Sequence, residues 1–131
     1  MDSSSAAESA AVAAAMEVLD RHMDALNRGD ADELAQTLHF PHYRLAGTAM
    51  QTWPGPEHYL RDFRARAGEG WHHSAWDFRN VVAATDDKVH FDLQFTRYRA
   101  DGSVLGRYRS LWVMSRIDGR WAAQLRSSFA P

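Results

Sequence analysis

Residues 88–130 read KVHFDLQFTRYRADGSVLGRYRSLWVMSRIDGRWAAQLRSSFA. Apolar and polar residues alternate with a period of two, and Asp101-Gly102 and Asp118-Gly119 interrupt the alternation. Asp-Gly between alternating runs is a strong hairpin signal, because both residues tolerate the positive φ that a two-residue turn requires. Centring turns on those pairs and on Asp86-Asp87 predicts a register. Phe91 lies opposite Trp112, Leu93 opposite Ser110, and Phe95 opposite Tyr108. In the last hairpin Trp112 faces Leu125, Ser110 faces Ser127 and Tyr108 faces Phe129. In the first, Val82 faces Phe91, Asn80 faces Leu93 and Phe78 faces Phe95.

Directly opposed residues share a sheet face. One face then collects Trp76, Phe78, Val82, Val89, Phe91, Leu93, Phe95, Tyr108, Trp112, Met114, Trp121, Leu125 and Phe129 as a core. Asn80, Leu93, Ser110 and Ser127 cross it as a largely polar row. Polar groups on a covered face need partners, so the row predicts either mutual bonding or a cavity. The opposite face is mixed, with an apolar patch at Val81, Leu105, Leu111 and Val113. That patch predicts a homodimer interface, against the plainer reading of scattered exposed side chains.

Upstream the period changes. Val12, Met16, Leu19, Met23 and Leu26 recur at helical spacing in an alanine-rich run that Gly29 ends. Asp30 is placed to cap a second short helix, with Glu33 as its capping-box partner. HFPHYRLAG and its continuation suggest strands at 40–46 and 49–53 around Gly47. Pro56 to Gly68 reads as a third helix with Tyr59, Leu60, Phe63 and Ala67 buried, and with Arg64 and Arg66 favouring its negative end. Residues 1–8 are small and polar and are expected to fray; 9–131 form one domain. The class is α+β: about six strands in a curved antiparallel sheet, with three helices on its concave face.

The chain has 131 residues, no cysteine and a formal net charge of −2. Disulfides and thiolate metal sites are excluded. The near-neutral balance gives no general pull toward nucleic acid or anionic lipid, despite a basic cluster at Arg97, Arg99, Arg107 and Arg109. No apolar run is long enough to span a membrane. The opening MDSSSAAES is acidic, unlike a signal peptide, so a cytoplasmic location is expected. No glycine-rich phosphate loop, nucleophile elbow or HExxH occurs, and no cofactor is expected.

The element order, with ALNRGDADELAQTL at the helix-to-helix corner, HFPHYRLAG, and the closing SLWVMSRIDGRWAAQLRSSFAP, resembles the nuclear transport factor two-like superfamily over about residues 8–130. This α+β group, also called cystatin-like, includes SnoaL-like polyketide cyclases and ketosteroid isomerases. The resemblance implies a cone-shaped sheet with a small-molecule pocket between its concave face and the helices, and dimerisation through the other face. It also implies an interior aspartate base. Here the segment after the second helix carries no carboxylate, and Asp77 and Asp92 fall on the outer face.

The chemistry must then come from elsewhere. His42 and Arg44 share a strand face. In one reading they look into the cone, His42 as base and Arg44 as oxygen partner; in the other they are solvated or bonded to backbone while Tyr43 and Leu45 are core. His72 is a second candidate base, grouped with Tyr108 and Ser110, or a solvent-exposed strand-end histidine. His22 sits beside the helix stripe near the pocket mouth, with packing as its plainer role. Asn80, Phe95, Ser110 and Ser127 are candidate ligand contacts, with Trp53, Trp76 and Trp112 as walls. His39 and His42 have an HxxH spacing without an accompanying acid, so no metal site is expected. Two functions remain open. One is a cofactor-free isomerase, dehydratase or cyclase acting on a small apolar or aromatic substrate. The other is a non-catalytic binding or dimerisation module.

Overall fold

A computed structural model describes residues 3–131; Met1 and Asp2, the start of the expected tail, lie outside the described residues. The order is α1 (Ser3–Arg28), α2 (Ala31–Gln36), β1 (Leu38–Ala46), β2 (Ala49–Trp53), α3 (Tyr59–Ala67), β3 (His73–Ala84), β4 (Lys88–Tyr98), β5 (Val104–Ile117) and β6 (Arg120–Ser128). Helix α1 begins inside the stretch expected to fray, because the alanines that follow favour helix. The strands form one curved, open sheet in the order β2-β1-β6-β5-β4-β3. All pairs are antiparallel except β1 with β6, which is parallel.

Gly29 ends α1 at φ +67°, with the Asp30 amide donating to the Ala25 carbonyl. This closes the helix and leaves the Asp30 carboxylate to accept from the Glu33 amide at 3.0 Å, a cap worth about 1 kcal/mol. Because the Asp30 amide is already used, Glu33 does not complete a capping box; it accepts from Arg21 of α1 instead, at 2.7 Å. Helix α3 starts at Tyr59, later than Pro56 suggested, after His58 at φ 70°.

The middle hairpin has the expected register: Phe91 opposite Trp112, Leu93 opposite Ser110, Phe95 opposite Tyr108. The two flanking hairpins do not keep theirs. In β6 the register shifts between Val113 and Met114, leaving Gln124 unpaired. Trp112 therefore lies opposite Arg126 and Ser110 opposite Ser128. In β3 shifts at Asp77 and Val82 place Arg79 opposite Leu93, Asn80 opposite Asp92 and Phe78 opposite Gln94. A bulge inserts one residue and turns every later side chain over to the other face.

The core face is thus corrected. Phe91, Leu93, Val89 and Met114 are fully buried against Leu19, Leu34 and Leu38. Phe78, Leu125 and Phe129 leave it for the outer face, and Val82, unpaired at its bulge, is not in the core either; Phe129 is 77% exposed and Val82 61%. Arg126 and Ser128 enter it and are buried. Val81 goes the other way, flanking a groove shared with Glu8 and Val12 of α1, so it does not belong to the outer patch.

Candidate functional site

The concave face of β1 and β3–β6, the second half of α1 and helix α3 enclose a cavity that leaves about 40 Å³ for the centres of water-sized molecules, within about 450 Å³ of atom-free space that includes open solvent. Its apolar wall includes Met23, Leu26, Phe63, Trp76, Phe95 and Trp112. Four guanidinium-bearing residues also line it: Arg44, Arg66, Arg97 and Arg126. No aspartate or glutamate does, among the described residues.

Each arginine reaches the cavity from a different element. Arg44 points inward from β1, donating to Gln51 Oε1 at 2.9 Å and to the Ala130 carbonyl at 2.6 Å. Arg66 lies on α3 at helical spacing from Tyr59 and Phe63, and its guanidinium stands over Trp53, Tyr59 and Phe63 at 5.2, 5.8 and 5.8 Å from the ring centres. Arg97, near the end of β4, reaches the Pro131 oxygen at 3.3 Å and stands among Phe63, Phe95 and Tyr108. Arg126 is turned inward by the Gln124 bulge and stacks over Trp112 at 4.9 Å and Tyr59 at 5.7 Å. Ring faces attract these cations but accept few of their N–H groups. Arg66 Nε and Nη1, Arg97 Nε and Arg126 Nε are buried without a hydrogen-bond partner.

Like charges in a desolvated site weaken one another's protonation. Burial first, then the neighbouring Arg126, brings Arg44 down to about 10. Arg66 is also brought down to about 10, by burial first and then by Arg126 and Arg97, against the opposing effect of Tyr59. Both remain cationic at neutral pH. The wall therefore concentrates positive charge, and its aromatic faces offer a place for an apolar body.

One imidazole faces this space. His22 on α1 is buried, edge-on to Trp112 at 5.0 Å between ring centres. Its Nδ1 lies 2.8 Å from Thr37 Oγ1, and that hydroxyl donates to the Leu34 carbonyl. The hydroxyl proton being committed, Nδ1 must carry the hydrogen, which leaves Nε2 as an acceptor. Burial, reinforced by Arg126, lowers the ring to about 3, so it is neutral at physiological pH.

The sequence-predicted residues divide into those that line the cavity and those that do not. Arg44, Trp76, Phe95 and Trp112 line it. His42 points inward and is fully buried, but it packs behind Tyr59 and Trp53 with Nδ1 3.1 Å from the Ala123 carbonyl. Trp53 is likewise behind the wall, donating to Asp62 at 2.9 Å. Tyr108 folds back over Gly106, under the Arg97 guanidinium. Ser110 is buried and donates to the Ser127 carbonyl. Three residues are misplaced by the sequence reading. Asn80 and Ser127 turn outward because of the bulges, and Ser128 takes the cavity position expected of Ser127. His72 is exposed before β3 begins, beside His73. His39 is engaged through both ring nitrogens, with the Ser115 carbonyl and Arg120, and does not combine with His42.

Arg66, Arg97 and Arg126 were missed as site residues. The spacing Tyr59-Phe63-Arg66 carried the signal for Arg66, since those positions share a helix face. Nothing in the alternation of β6 announces the bulge that turns Arg126 inward.

A family model described as NTF2-like protein (DUF6841) matches residues 13–123. No curated protein matches the chain by sequence. Among solved structures, the chain is similar to a protein of unknown function with a cystatin-like fold from Nostoc punctiforme. That match has a TM-score of 0.71 and 16% identity, covering 88% of this chain and 87% of that one. A protein from Catenulispora acidiphila, solved in complex with S-DNPA, matches with a TM-score of 0.71 and 20% identity over 93% and 94% of the two chains. LinA matches with a TM-score of 0.67 and 15% identity over 97% and 90%. At these identities the likeness is one of fold.

Proposed function

The chain belongs to the NTF2-like family DUF6841, and from that premise we propose that its cavity binds a small organic acid. The acidic group sits among Arg44, Arg66, Arg97 and Arg126, and the apolar body lies against Phe63, Trp76, Phe95 and Trp112. The observation that carries this reading is the convergence of four arginines on one pocket without a carboxylate on its wall. A guanidinium fork suits a carboxylate, and in a water-poor site the charged hydrogen bond is stronger than at a surface. Isothermal titration with phenylacetate and with its neutral amide tests it. The acid is expected to bind and the amide not to; equal binding, or binding of the amide alone, would refute the role given to the arginines.

His22 supports a second, catalytic reading. A neutral imidazole with Nδ1 fixed by Thr37 presents Nε2 to the cavity, and a bound anion that offsets Arg126 would raise its basicity so that it takes a proton while arginine stabilises an enolate oxygen. This moves the base from His42 and His72, which do not line the cavity, to His22. A cofactor-free isomerase, dehydratase or cyclase on this site would work through that pair.

We also propose that the outer sheet face joins two copies of this chain. The register places Tyr43, Leu45, Leu111, Val113 and Leu125 together there, and Leu111 is 53% exposed. Such a contiguous apolar face favours self-association. Leu111→Glu, which puts a charge at its centre, is expected to shift the sedimentation coefficient from dimer to monomer. A wild-type protein that sediments as a monomer would refute this.

A further inference from the structure

The four arginines are not equivalent. Arg44 has two oxygen partners from the protein and Arg97 has one. Arg66 and Arg126 contact rings, and their buried Nε atoms meet no acceptor among the described residues. Both stand within about 6 Å of the centre of the same Tyr59 ring. A single compact molecule can therefore reach both.

Resting on the reading of the cavity as an organic-acid site, we propose that its ligand is a dianion, two acidic groups held on one short, apolar frame. One group meets Arg66, with Arg97 standing near the same Phe63 ring; the other meets Arg126 beside Trp112. A monoanion would leave one guanidinium desolvated and without a partner, a strongly unfavourable arrangement. Two anionic groups give each of these cations an acceptor. The frame between them lies against Tyr59 and Phe63, whose rings already face the cavity. His22 Nε2 adds an acceptor to this otherwise donor-rich wall, so a hydroxyl or N–H on the frame gains a further hydrogen bond.

A series on one ring separates charge from shape: benzamide, benzoate, isophthalate and phenyl phosphate, titrated calorimetrically into the full-length protein at low and moderate salt. Isophthalate is expected to bind at least about tenfold more tightly than benzoate. Phenyl phosphate, whose two charges sit on one group, is expected to bind less tightly than isophthalate; binding at least as tight would overturn the two-group assignment. In Arg66→Met the advantage of isophthalate over benzoate is expected to disappear. Circular dichroism and a melting curve establish that this variant is folded. If benzoate binds as tightly as both dianions, the two-charge assignment is overturned and the organic-acid reading stands. If benzamide binds as well as every acid, or no acid binds, both are overturned.

Discussion

Arg126→Met is expected to melt higher than the wild type when no ligand is added, and to lose organic-acid binding. Arg126 is the common neighbour in the electrostatics of the site: its charge opposes protonation of His22, His42, Arg44, Arg66 and Arg97. The residue is buried, its Nε has no acceptor, and no carboxylate pairs with it among the described residues. Folding must desolvate this cation beside three others. Methionine keeps an unbranched side chain against Trp112 and Tyr59 and removes the charge. The cation–π contacts are lost, but the relief of desolvation and repulsion is larger, by about 1–3 kcal/mol, as when buried ionic groups are replaced by apolar ones. For a domain of this size that is about 3–10 °C in melting temperature.

The same substitution removes one partner of a desolvated charge pair from the complex, which weakens binding by about 2–4 kcal/mol, or about 30- to 1,000-fold. Stability and affinity then move in opposite directions, as expected where a site holds unfavourable charge for a ligand. Differential scanning calorimetry with and without acid measures both. A variant that melts well below the wild type and binds the acid unchanged would show that Arg126 is a packing residue and not the centre of an anion site.

The same residue shows how far the sequence could be read. Alternation and Asp-Gly turns placed the middle hairpin correctly, because both of its strands keep a period of two between Val89 and Arg97. They failed where Gln124, Asp77 and Val82 add a residue without altering the local pattern of apolar and polar side chains. Reading β6 as strictly alternating put Leu125, Ser127 and Phe129 inside, a plausible core. The fold places Arg126 and Ser128 inside instead, exchanging apolar for polar contacts. Burial of a cation in place of a leucine runs against the hydrophobic pattern, and such conflicts concentrate at sites that serve a ligand. His42 illustrates a different limit. Parity on β1 correctly turned it inward, but parity cannot tell that Tyr59, arriving on a helix remote from β1 in sequence, stands between it and the cavity.

Acid is expected to destabilise this protein before its carboxylates titrate. His22 is lowered to about 3 by burial and by Arg126. His42 is lowered to about 2, by burial first and then by Arg126, opposed by its bond to the Ala123 carbonyl. In the unfolded chain both return to about 6.5. A base whose folded pKa is depressed leaves the unfolded state holding more protons as pH falls. The folded state is therefore fully stable above about pH 6.5 and loses stability progressively as pH falls from there toward 3. Two such groups together remove about 4 kcal/mol between pH 7 and pH 5, with a limiting slope of about 2.7 kcal/mol per pH unit. Urea unfolding at pH 5, 6 and 7 measures that slope. His22→Gln and His42→Gln are each expected to halve it, whatever they do to stability at pH 7. Arg126→Met removes the Coulombic contribution at both histidines and leaves desolvation, so its slope is unchanged near pH 6 while its loss of stability ends at a higher pH. A wild-type profile flat from pH 7 to 5 would mean that solvent reaches both rings. Protected neutral histidines around Arg126 would then be the wrong description of this interior.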